Sequence, residues 1–340
     1  KCTSRKDNSN CNEFNEMKVL IIGGAGYVGA RLQKFLIESG FNLRIFDTFW
    51  YPSGKNINLD PRKIEYVTGD VRDLNLLKNS LKDIEACIHL ACISNDPTFE
   101  LDPSLAKSIN YSAFPGFVDL LNKSDVKRFI YASSSSVYGV KTEPIVSEDL
   151  QCEPLTDYSK YKLACEEYVK SNVSKNIVST ILRPSTVCGY SPRQRFDLVV
   201  NLLTITALTK KEIIVDGGQQ FRPNLHIDDM IRCYRELLTS EVEKINNEIF
   251  NVAGENLKVI EIAEIVREVV GSECNVKVKD VVDPRSYRVS GAKIAEKISF
   301  QPMKSVRNAV EELKKLFEAG KFSNPESEEY YNIRRMKNLI

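Results

Sequence analysis

The chain has 340 residues, of which 42% are hydrophobic, so it can bury one large core or two smaller ones and is not disordered as a whole. Its 47 basic and 46 acidic side chains nearly cancel, which gives no reason to expect a nucleic-acid partner, and no apolar run reaches the ~20 residues of a membrane helix. Nine cysteines, mostly within apolar stretches, favour reduced thiols in a cytoplasmic protein over a disulfide framework. With two histidines and no Cys-x-x-Cys pair, a metal site is not expected.

The first 16 residues are polar and show no hydrophobic periodicity, so we predict an extension that precedes the folded protein. The apolar run after Met17, residues 18–22, predicts a buried strand. A glycine-rich turn follows, and then an amphipathic helix up to Gly40. Small residues in such a turn let the backbone approach a pyrophosphate, which the amides of the helix N-terminus hold. The turn residues assigned to this cofactor site are Gly23, Gly26, Tyr27, Val28 and Gly29.

The next strand ends at Asp47, eighteen residues after Gly29. A carboxylate at this place accepts hydrogen bonds from an adenosine ribose and repels a 2′-phosphate. The unit therefore predicts a site for NAD rather than NADP, and a purely structural βαβ unit is the alternative.

Strands and helices continue to alternate along residues 63–132, which predicts a parallel sheet. A long helix is predicted from Pro103 to about Leu121. The last strand of this region runs into four serines, Ser133–Ser136, and hydroxyls at the carboxyl end of a strand lie where ligands bind in such sheets. A surface loop is the alternative for these serines.

Tyr158 and Lys162 are one turn apart in a stretch that is typical of an amphipathic helix, so they share a helix face. A nearby ammonium lowers the pKa of a phenol from its usual value of about 10, which allows Tyr158 to accept a proton from an alcohol. An isolated Tyr-x-x-x-Lys more often means an exposed tyrosine and a solvated lysine.

Together, the glycine turn, Asp47, the serine run and the pair of Tyr158 and Lys162 resemble the extended short-chain dehydrogenase/reductase family, in its nucleotide-sugar epimerase/dehydratase branch. The similarity spans about Met17 to Leu316. It implies an enzyme with a Rossmann-type doubly wound parallel sheet and a smaller α/β substrate-binding lobe. It also implies NAD as the cofactor and a nucleotide-diphosphate sugar as the substrate.

The resemblance implies that Ser134 bonds the sugar oxygen, that Tyr158 accepts its proton, and that Lys162 lowers the tyrosine pKa and bridges the nicotinamide ribose. To the cofactor residues above it adds Asp70, Val71, Leu90, Ala91 and Asn110. The substrate residues that it implies are Ser135, Ser136, Thr186, Arg195, Arg222 and Arg285. Guanidinium groups suit paired phosphate oxygens, whereas Thr186 departs from the asparagine that many relatives carry.

The second lobe of such proteins is discontinuous in sequence. Residues 191–197 are predicted to start a helix that reaches Leu208, and the sequence suggests no function for the C-terminal tail, residues 321–340. The expected parts are an NAD-binding domain of residues 17–189 and 224–254 and a nucleotide-sugar lobe of residues 190–223 and 255–320.

The expected activity is that of a 4-epimerase, which oxidises the sugar at C4 and reduces the ketone on its other face. A net C4 dehydrogenase, a 4,6-dehydratase and a non-catalytic NAD-binding regulator are the alternatives. Dehydratases of this kind carry adjacent Asp and Glu just after the catalytic hydroxyl, where this chain has Ser135 and Ser136, so elimination is not expected. Similar enzymes pair the helices after Pro103 and around Tyr158 across a two-fold axis, which predicts a homodimer.

Overall fold

The structure, a computed structural model, describes residues 17–281 and 286–339. The predicted N-terminal extension and Arg285 lie outside the described residues. The strands are β1 Lys18–Ile22, β2 Asn42–Asp47, β3 Ile64–Thr68, β4 Ala86–His89, β5 Arg128–Ala132, β6 Val178–Pro184, β7 Thr186–Cys188, β8 Glu212–Asp216, β9 Phe221–His226, β10 Glu248–Val252, β11 Glu255–Lys258 and β12 Asn275–Lys279.

Helices separate most of these strands. They are α1 Tyr27–Glu38, α2 Leu74–Ser80, α3 Asp96–Phe99, α4 Pro103–Lys107, α5 Phe114–Asn122, α6 Asp157–Asn172, α7 Val199–Lys210, α8 Ile227–Thr239, α9 Val242–Ile245, α10 Val259–Val270, α11 Ala292–Ile298, α12 Val306–Glu318 and α13 Asn332–Lys337. A π-helical segment, Ser108–Ser112, joins α4 to α5, and short 3₁₀ turns cover Pro52–Gly54, Ser135–Tyr138 and Glu328–Tyr330.

Seven parallel strands form the central sheet in the order β10-β6-β5-β4-β1-β2-β3. From β1 the chain first builds outward through β2 and β3, and then crosses back to β4 on the other side of β1. This reversal is the topological switch point, where ligands bind outside the carboxyl ends of the strands in doubly wound sheets. The predicted Rossmann-type sheet is confirmed.

Both faces of the sheet are covered because successive side chains of a strand point to opposite faces. In β1, Val19 and Ile21 face α1 and α8, whereas Leu20 and Ile22 face α5 and α6, and all four side chains are fully buried. Apolar runs of this kind are the signature of a parallel sheet that is buried on both sides.

A smaller α/β layer lies beside the sheet, as expected. Its two parallel strands, β8 and β12, share an apolar core with α7, α10 and α12. A further three-stranded sheet, in the order β11-β9-β7, links this layer to the carboxyl end of β6.

Two predicted helices are wrong in extent. Residues 190–198 are not helical, and α7 begins only at Val199, because the side chains of Ser191 and Arg195 bond Tyr27 and Ser94 in other segments. The helix after Pro103 is interrupted by the π-helical segment, and α5 restarts just before Pro115, which has no N–H to donate.

The stretch expected to be a C-terminal tail folds back onto the rest of the chain. Phe322 and Tyr330 pack against Phe196, and Met336 is buried beside Ile93 and Phe99. Along residues 17–281 and 286–339, no helix has both the length and the apolar character needed to cross a membrane, and no group of three or more metal-ligating side chains converges.

Candidate active site

A cleft of about 490 Å³ opens at the switch point, along the carboxyl ends of β1, β2, β4 and β5. Its walls come from the glycine turn, the first turn of α6, the strands β7 and β9, and the C-terminal helix α13. This size is within the range of about 300 to 1,000 Å³ that is usual for ligand pockets.

The glycine turn forms one end of the cleft. Gly23 has a φ of +81°, and a Cβ there would lie 2.4 Å from the backbone nitrogen of Ala91. A Cβ on Gly29 would lie 2.5 Å from the carbonyl oxygen of Gly24, so both positions need glycine for close packing. A Cβ on Gly26 would meet only the carbonyl oxygen of Gly23, at 3.4 Å, and would otherwise project into the cleft. The absence of a side chain at Gly26 therefore keeps room for a ligand.

Asp47 closes β2 beside this turn. Its carboxylate accepts hydrogen bonds from the backbone N–H groups of Ala25 and Phe49, both at 2.9 Å. Burial raises the pKa of the Asp47 carboxyl, while these two donors act in the opposite direction. The carboxylate is fixed in orientation and still lines the cleft.

Four of the remaining expected cofactor residues line the cleft, whereas Asn110 does not. Asp70, Val71, Leu90 and Ala91 line the cleft together with the glycine turn, and Asp70 is held by Arg72 in a two-pronged ion pair at 2.7 and 2.8 Å. That pair lowers the pKa of the Asp70 carboxyl.

Asn110, which is expected to be a cofactor residue, lies behind the cleft wall. It is buried, and its side-chain amide bonds both backbone groups of Ile93, at 2.8 and 3.0 Å. It therefore acts on the cleft through Ile93, which does line it.

The start of α6 places the tyrosine. Thr156 and Ser159 form a capping box, in which each side chain bonds the backbone N–H of the other, at 3.3 and 3.2 Å. Tyr158 thus stands in the first helical turn, with Lys162 one turn later on the same face, as predicted. Both side chains line the cleft.

The Lys162 side chain lies between the end of β5 and the Tyr158 ring. Its ammonium donates to the carbonyl oxygen of Ala132 at 2.6 Å, and it lies 5.9 Å from the centre of the Tyr158 ring. Burial raises the pKa of Tyr158 well above its usual value, and the neighbouring Ser134 acts in the opposite direction.

The four serines take distinct places at the end of β5. Ser134 lines the same cleft as Tyr158, and its hydroxyl oxygen accepts from the Ser136 hydroxyl at 2.9 Å. The Ser135 hydroxyl lies 3.3 Å from the phenol oxygen of Tyr287. The Ser133 hydroxyl donates to the buried carboxylate of Glu166.

Glu166 belongs to a buried polar network beneath the site. Its carboxylate binds the guanidinium of Arg183 at 2.6 and 3.0 Å, and Arg183 in turn donates to the Tyr138 hydroxyl at 2.9 Å. The network joins α6, which carries Tyr158, to the serine loop and to β6. It thereby fixes the positions of the proposed catalytic groups relative to one another.

Of the residues expected to bind substrate, Thr186 on β7 and Arg222 on β9 line the cleft on the side of the smaller lobe. Arg195 lines it as well, beside the loop after β4, where its guanidinium donates to the Ser94 hydroxyl at 3.1 Å and pairs with Asp197 at 2.8 Å.

Two residues in the cleft wall were missed by sequence reasoning. Arg193 is 2% exposed and stacks on Tyr51, with 3.6 Å between the guanidinium carbon and the ring centre. Asn332, at the start of α13, accepts a hydrogen bond from Arg193. In the sequence, Arg193 and Arg195 flank Gln194, and this pair of arginines could have drawn attention to Arg193. Nothing in the local pattern singles out Asn332.

The sequence model of the NAD dependent epimerase/dehydratase family matches residues 19–253. That range contains the glycine turn, Asp47, the serine loop and the pair of Tyr158 and Lys162. The chain belongs to this family. It is therefore an enzyme, with NAD as its cofactor.

Relatives in the family have several activities. The chain is 26% identical to the UDP-glucose 4-epimerase of Lactobacillus helveticus, over 75% of this chain and 82% of that protein. It is 25% identical to a UDP-N-acetyl-alpha-D-glucosaminuronate decarboxylase of Bacillus cytotoxicus, over 76% of this chain and 82% of that protein.

Among solved structures, the fold matches the UDP-glucuronic acid 4-epimerase of Bacillus cereus in complex with UDP-glucuronic acid and NAD. The TM-score is 0.78 at 27% identity, over 88% of this chain and all of that one. Family membership thus establishes the class of chemistry and leaves the particular reaction open.

The residues present fit NAD. The open position at Gly26 and the N-terminus of α1, which has no side-chain cap, leave backbone amides for a diphosphate, and Asp47 is presented for a ribose. When bound, NAD supplies the acceptor for a hydride and a positively charged ring.

Proposed function

We propose that the protein is a nucleotide-sugar 4-epimerase that acts through a transient 4-keto sugar. The observation that carries this proposal is the placement of Tyr158 and Ser134 at the switch point, in one cleft with the cofactor residues. This pair can bind a secondary alcohol and take its proton. A ligand-binding protein without catalysis has no need of it.

The proposed chemistry gives Ser134 and Tyr158 one role each. The Ser134 hydroxyl would hold the oxygen at C4, and Tyr158, as the phenolate, would accept the proton of that hydroxyl as C4 gives up its hydride to the acceptor. If the ketone turns within the cleft, the same groups return the proton and the hydride on the opposite face. The reaction then needs no second substrate.

The serine loop argues against dehydration. Elimination across C5 and C6 needs a base and an acid, and Ser135 and Ser136 supply neither without an activating partner. Among the described residues that line the cleft, Asp96 is the carboxylate that is not assigned to the cofactor, and it accepts a hydrogen bond from Thr156 at 2.6 Å. A dehydratase would therefore have to recruit Asp96.

The test is a screen of nucleotide sugars with the purified protein and NAD in deuterated water, read by mass spectrometry and NMR. An epimerase gives a product of unchanged mass that is inverted at C4, with no solvent deuterium on carbon. A product lighter by one water would refute the proposal in favour of a dehydratase. Stoichiometric formation of NADH would refute it in favour of a net dehydrogenase.

Cofactor choice depends on Asp47, and we predict that NAD binds at least about tenfold more tightly than NADP. Two like unit charges about 4 Å apart repel by roughly 1 kcal/mol in bulk water and by roughly 4 kcal/mol near a protein surface. The 2′-phosphate of NADP would meet the Asp47 carboxylate in this way. Calorimetric titration with both cofactors measures the ratio. Asp47→Asn should reduce it, and equal affinities in the unchanged protein would contradict the assignment.

We also propose that Arg222 binds the diphosphate of the substrate. Arg222→Ala should raise KM by about 10- to 100-fold with little change in kcat, because hydrogen bonds to charged groups contribute roughly 1.5 to 3 kcal/mol. Steady-state kinetics measures both constants. Arg288→Ala is a matched control, since Arg288 is exposed on the face of Phe221, at 4.3 Å from the ring centre, and does not line the cleft. A large fall in kcat at constant KM would place Arg222 in the transition state instead.

The expected homodimer would bury the outer surface of α6 and of the segment from α4 to α5. Half-buried aromatic residues cluster there, with Tyr161 stacked on both Phe99 and Tyr111. Light scattering coupled to gel filtration at micromolar concentration should give twice the chain mass of 38.6 kDa. A monomer at that concentration would contradict the assignment of this surface.

A further inference from the structure

Two buried guanidinium groups in the cleft wall have too few hydrogen-bond acceptors. Arg193 and Arg195 are 2% and 7% exposed. Nε and Nη1 of Arg193 and Nη2 of Arg195 have no partner within the described part of the chain. A buried donor without an acceptor costs free energy, and the cost is higher for a charged group. Such a pair therefore indicates a place for an anionic ligand.

The location of the pair can be read from its neighbours. Arg195 donates to Ser94, in the loop after β4, and Arg193 stacks on Tyr51, in the loop after β2. Since β1 lies between β2 and β4 in the sheet, the two arginines span the carboxyl end of β1. That is where the glycine turn leads into α1.

A second contact fixes the arginine segment to α1 directly. The Ser191 hydroxyl donates to the backbone carbonyl of Tyr27, the first residue of α1, at 2.6 Å. The guanidinium groups are therefore held beside the amide groups of the α1 N-terminus. Backbone amides and two cations that face one space are suited to a group with paired negative oxygens.

The charge balance of the cleft points to the cofactor. Within the described residues, the lysines and arginines that line the cleft are Lys162, Arg193, Arg195 and Arg222. Lys162 is bonded to Ala132, beneath Tyr158, and Arg222 lies on β9, toward the smaller lobe. Arg193 and Arg195 are thus the cations placed beside the glycine turn, where the two negative charges of a dinucleotide's diphosphate need compensation.

We propose that Arg193 and Arg195 bind the diphosphate of NAD, and that Asn332 is the positioning residue that orients them. This assigns Arg195 to the cofactor instead of the substrate. The proposal rests on NAD being the cofactor and is independent of which sugar reaction the enzyme performs.

Asn332 contacts every part of this arrangement. Its side-chain oxygen accepts from Arg193, and its side-chain nitrogen donates to Ser94 at 3.0 Å. Its backbone N–H donates to Asp197 at 2.9 Å, and Asp197 is the carboxylate that holds Arg195. One residue of the C-terminal helix therefore sets the direction of both guanidinium groups.

The arginine charge is available at neutral pH. Burial lowers the pKa of Arg193 to about 10, with Arg195 acting in the same direction and Tyr51 and Asp197 against it. The guanidinium is thus charged under ordinary conditions but undercompensated, which agrees with a site that is completed by an anion.

The test compares ligands with and without a diphosphate, by calorimetry on the full chain. ADP-ribose carries the cofactor's diphosphate, adenosine carries none, and UDP reports on the substrate side. Arg193→Met should weaken ADP-ribose by about 10- to 100-fold and leave adenosine and UDP within about threefold. Arg193→Lys, which keeps the charge, should recover part of the loss. Arg334→Ala is the matched control, because Arg334 is an exposed arginine of the same C-terminal helix, paired with Glu326.

Asn332→Ala keeps both arginines and removes the group that orients them, so it tests the proposal if Arg193→Met does not fold. It should weaken ADP-ribose by about 3- to 10-fold, again without affecting adenosine. Loss of UDP affinity with ADP-ribose unchanged would overturn the proposal and assign the arginines to the substrate. An equal loss for ADP-ribose and adenosine, or no loss for either, would overturn it as well.

Discussion

Tyr158→Phe should lower kcat by about 10²- to 10⁴-fold while NAD affinity stays within about threefold. The change removes the hydroxyl that exchanges the substrate proton and keeps the ring that packs in the cleft wall near Met336. Ser134 keeps its hydrogen bonds from Ser136, so the local loop is undisturbed. Single-turnover kinetics and calorimetric titration with NAD measure the two quantities separately.

The neighbouring tyrosine provides the control. Tyr161 lies on the same helix, is half-buried between Phe99 and Tyr111, and does not line the cleft. Tyr161→Phe should therefore leave kcat nearly unchanged. Retention of most activity in Tyr158→Phe would mean that another group takes the proton, and loss of both activity and NAD binding would indicate a structural role.

Glu166→Leu should lower the free energy of unfolding by about 3 to 5 kcal/mol, because it leaves the guanidinium of Arg183 buried without its carboxylate. Both side chains are at most 5% exposed, and they share bonds of 2.6 and 3.0 Å. Ser133 loses its acceptor at the same time. Urea unfolding followed by circular dichroism measures the change.

A double variant separates the charge from the packing. Glu166→Leu combined with Arg183→Met should recover much of the lost stability, since well-packed apolar residues can replace a buried ion pair at little cost. Glu167→Ala, at the exposed adjacent position of α6, should change stability by no more than about 0.5 kcal/mol. A loss below about 1 kcal/mol in Glu166→Leu would show that Arg183 finds another partner or water.

The parts of the site that sequence analysis predicted are those encoded by close neighbours in the chain. The glycine turn, Asp47 and the spacing of Tyr158 and Lys162 each depend on local geometry, namely a tight turn, the end of a strand and one turn of helix. The alternation of strands and helices similarly determined the fold, because a parallel sheet needs a crossover between its strands.

The parts that were missed depend on distant segments. Lys162 bonds a carbonyl 30 positions earlier, and Asn110 uses its amide on a loop 17 positions earlier, so neither contact is visible in a local pattern. The arginine segment, residues 191–197, was predicted to start the helix that reaches Leu208. In the structure, hydrogen bonds to α1, Ser94 and Asn332 hold that segment in an irregular conformation instead.

The helix α13, which forms the C-terminal wall of the cleft, also affects the order in which parts of the chain fold. Tyr51 and Asn332 are 281 positions apart, and Trp50 and Arg335 are 285 positions apart, yet each pair is hydrogen-bonded. Closing so long a loop costs chain entropy before any contact repays it, so such pairings form late in folding. The parallel sheet and its glycine turn can therefore assemble before this wall docks. During refolding, recovery of helical and strand signals should precede recovery of cofactor affinity.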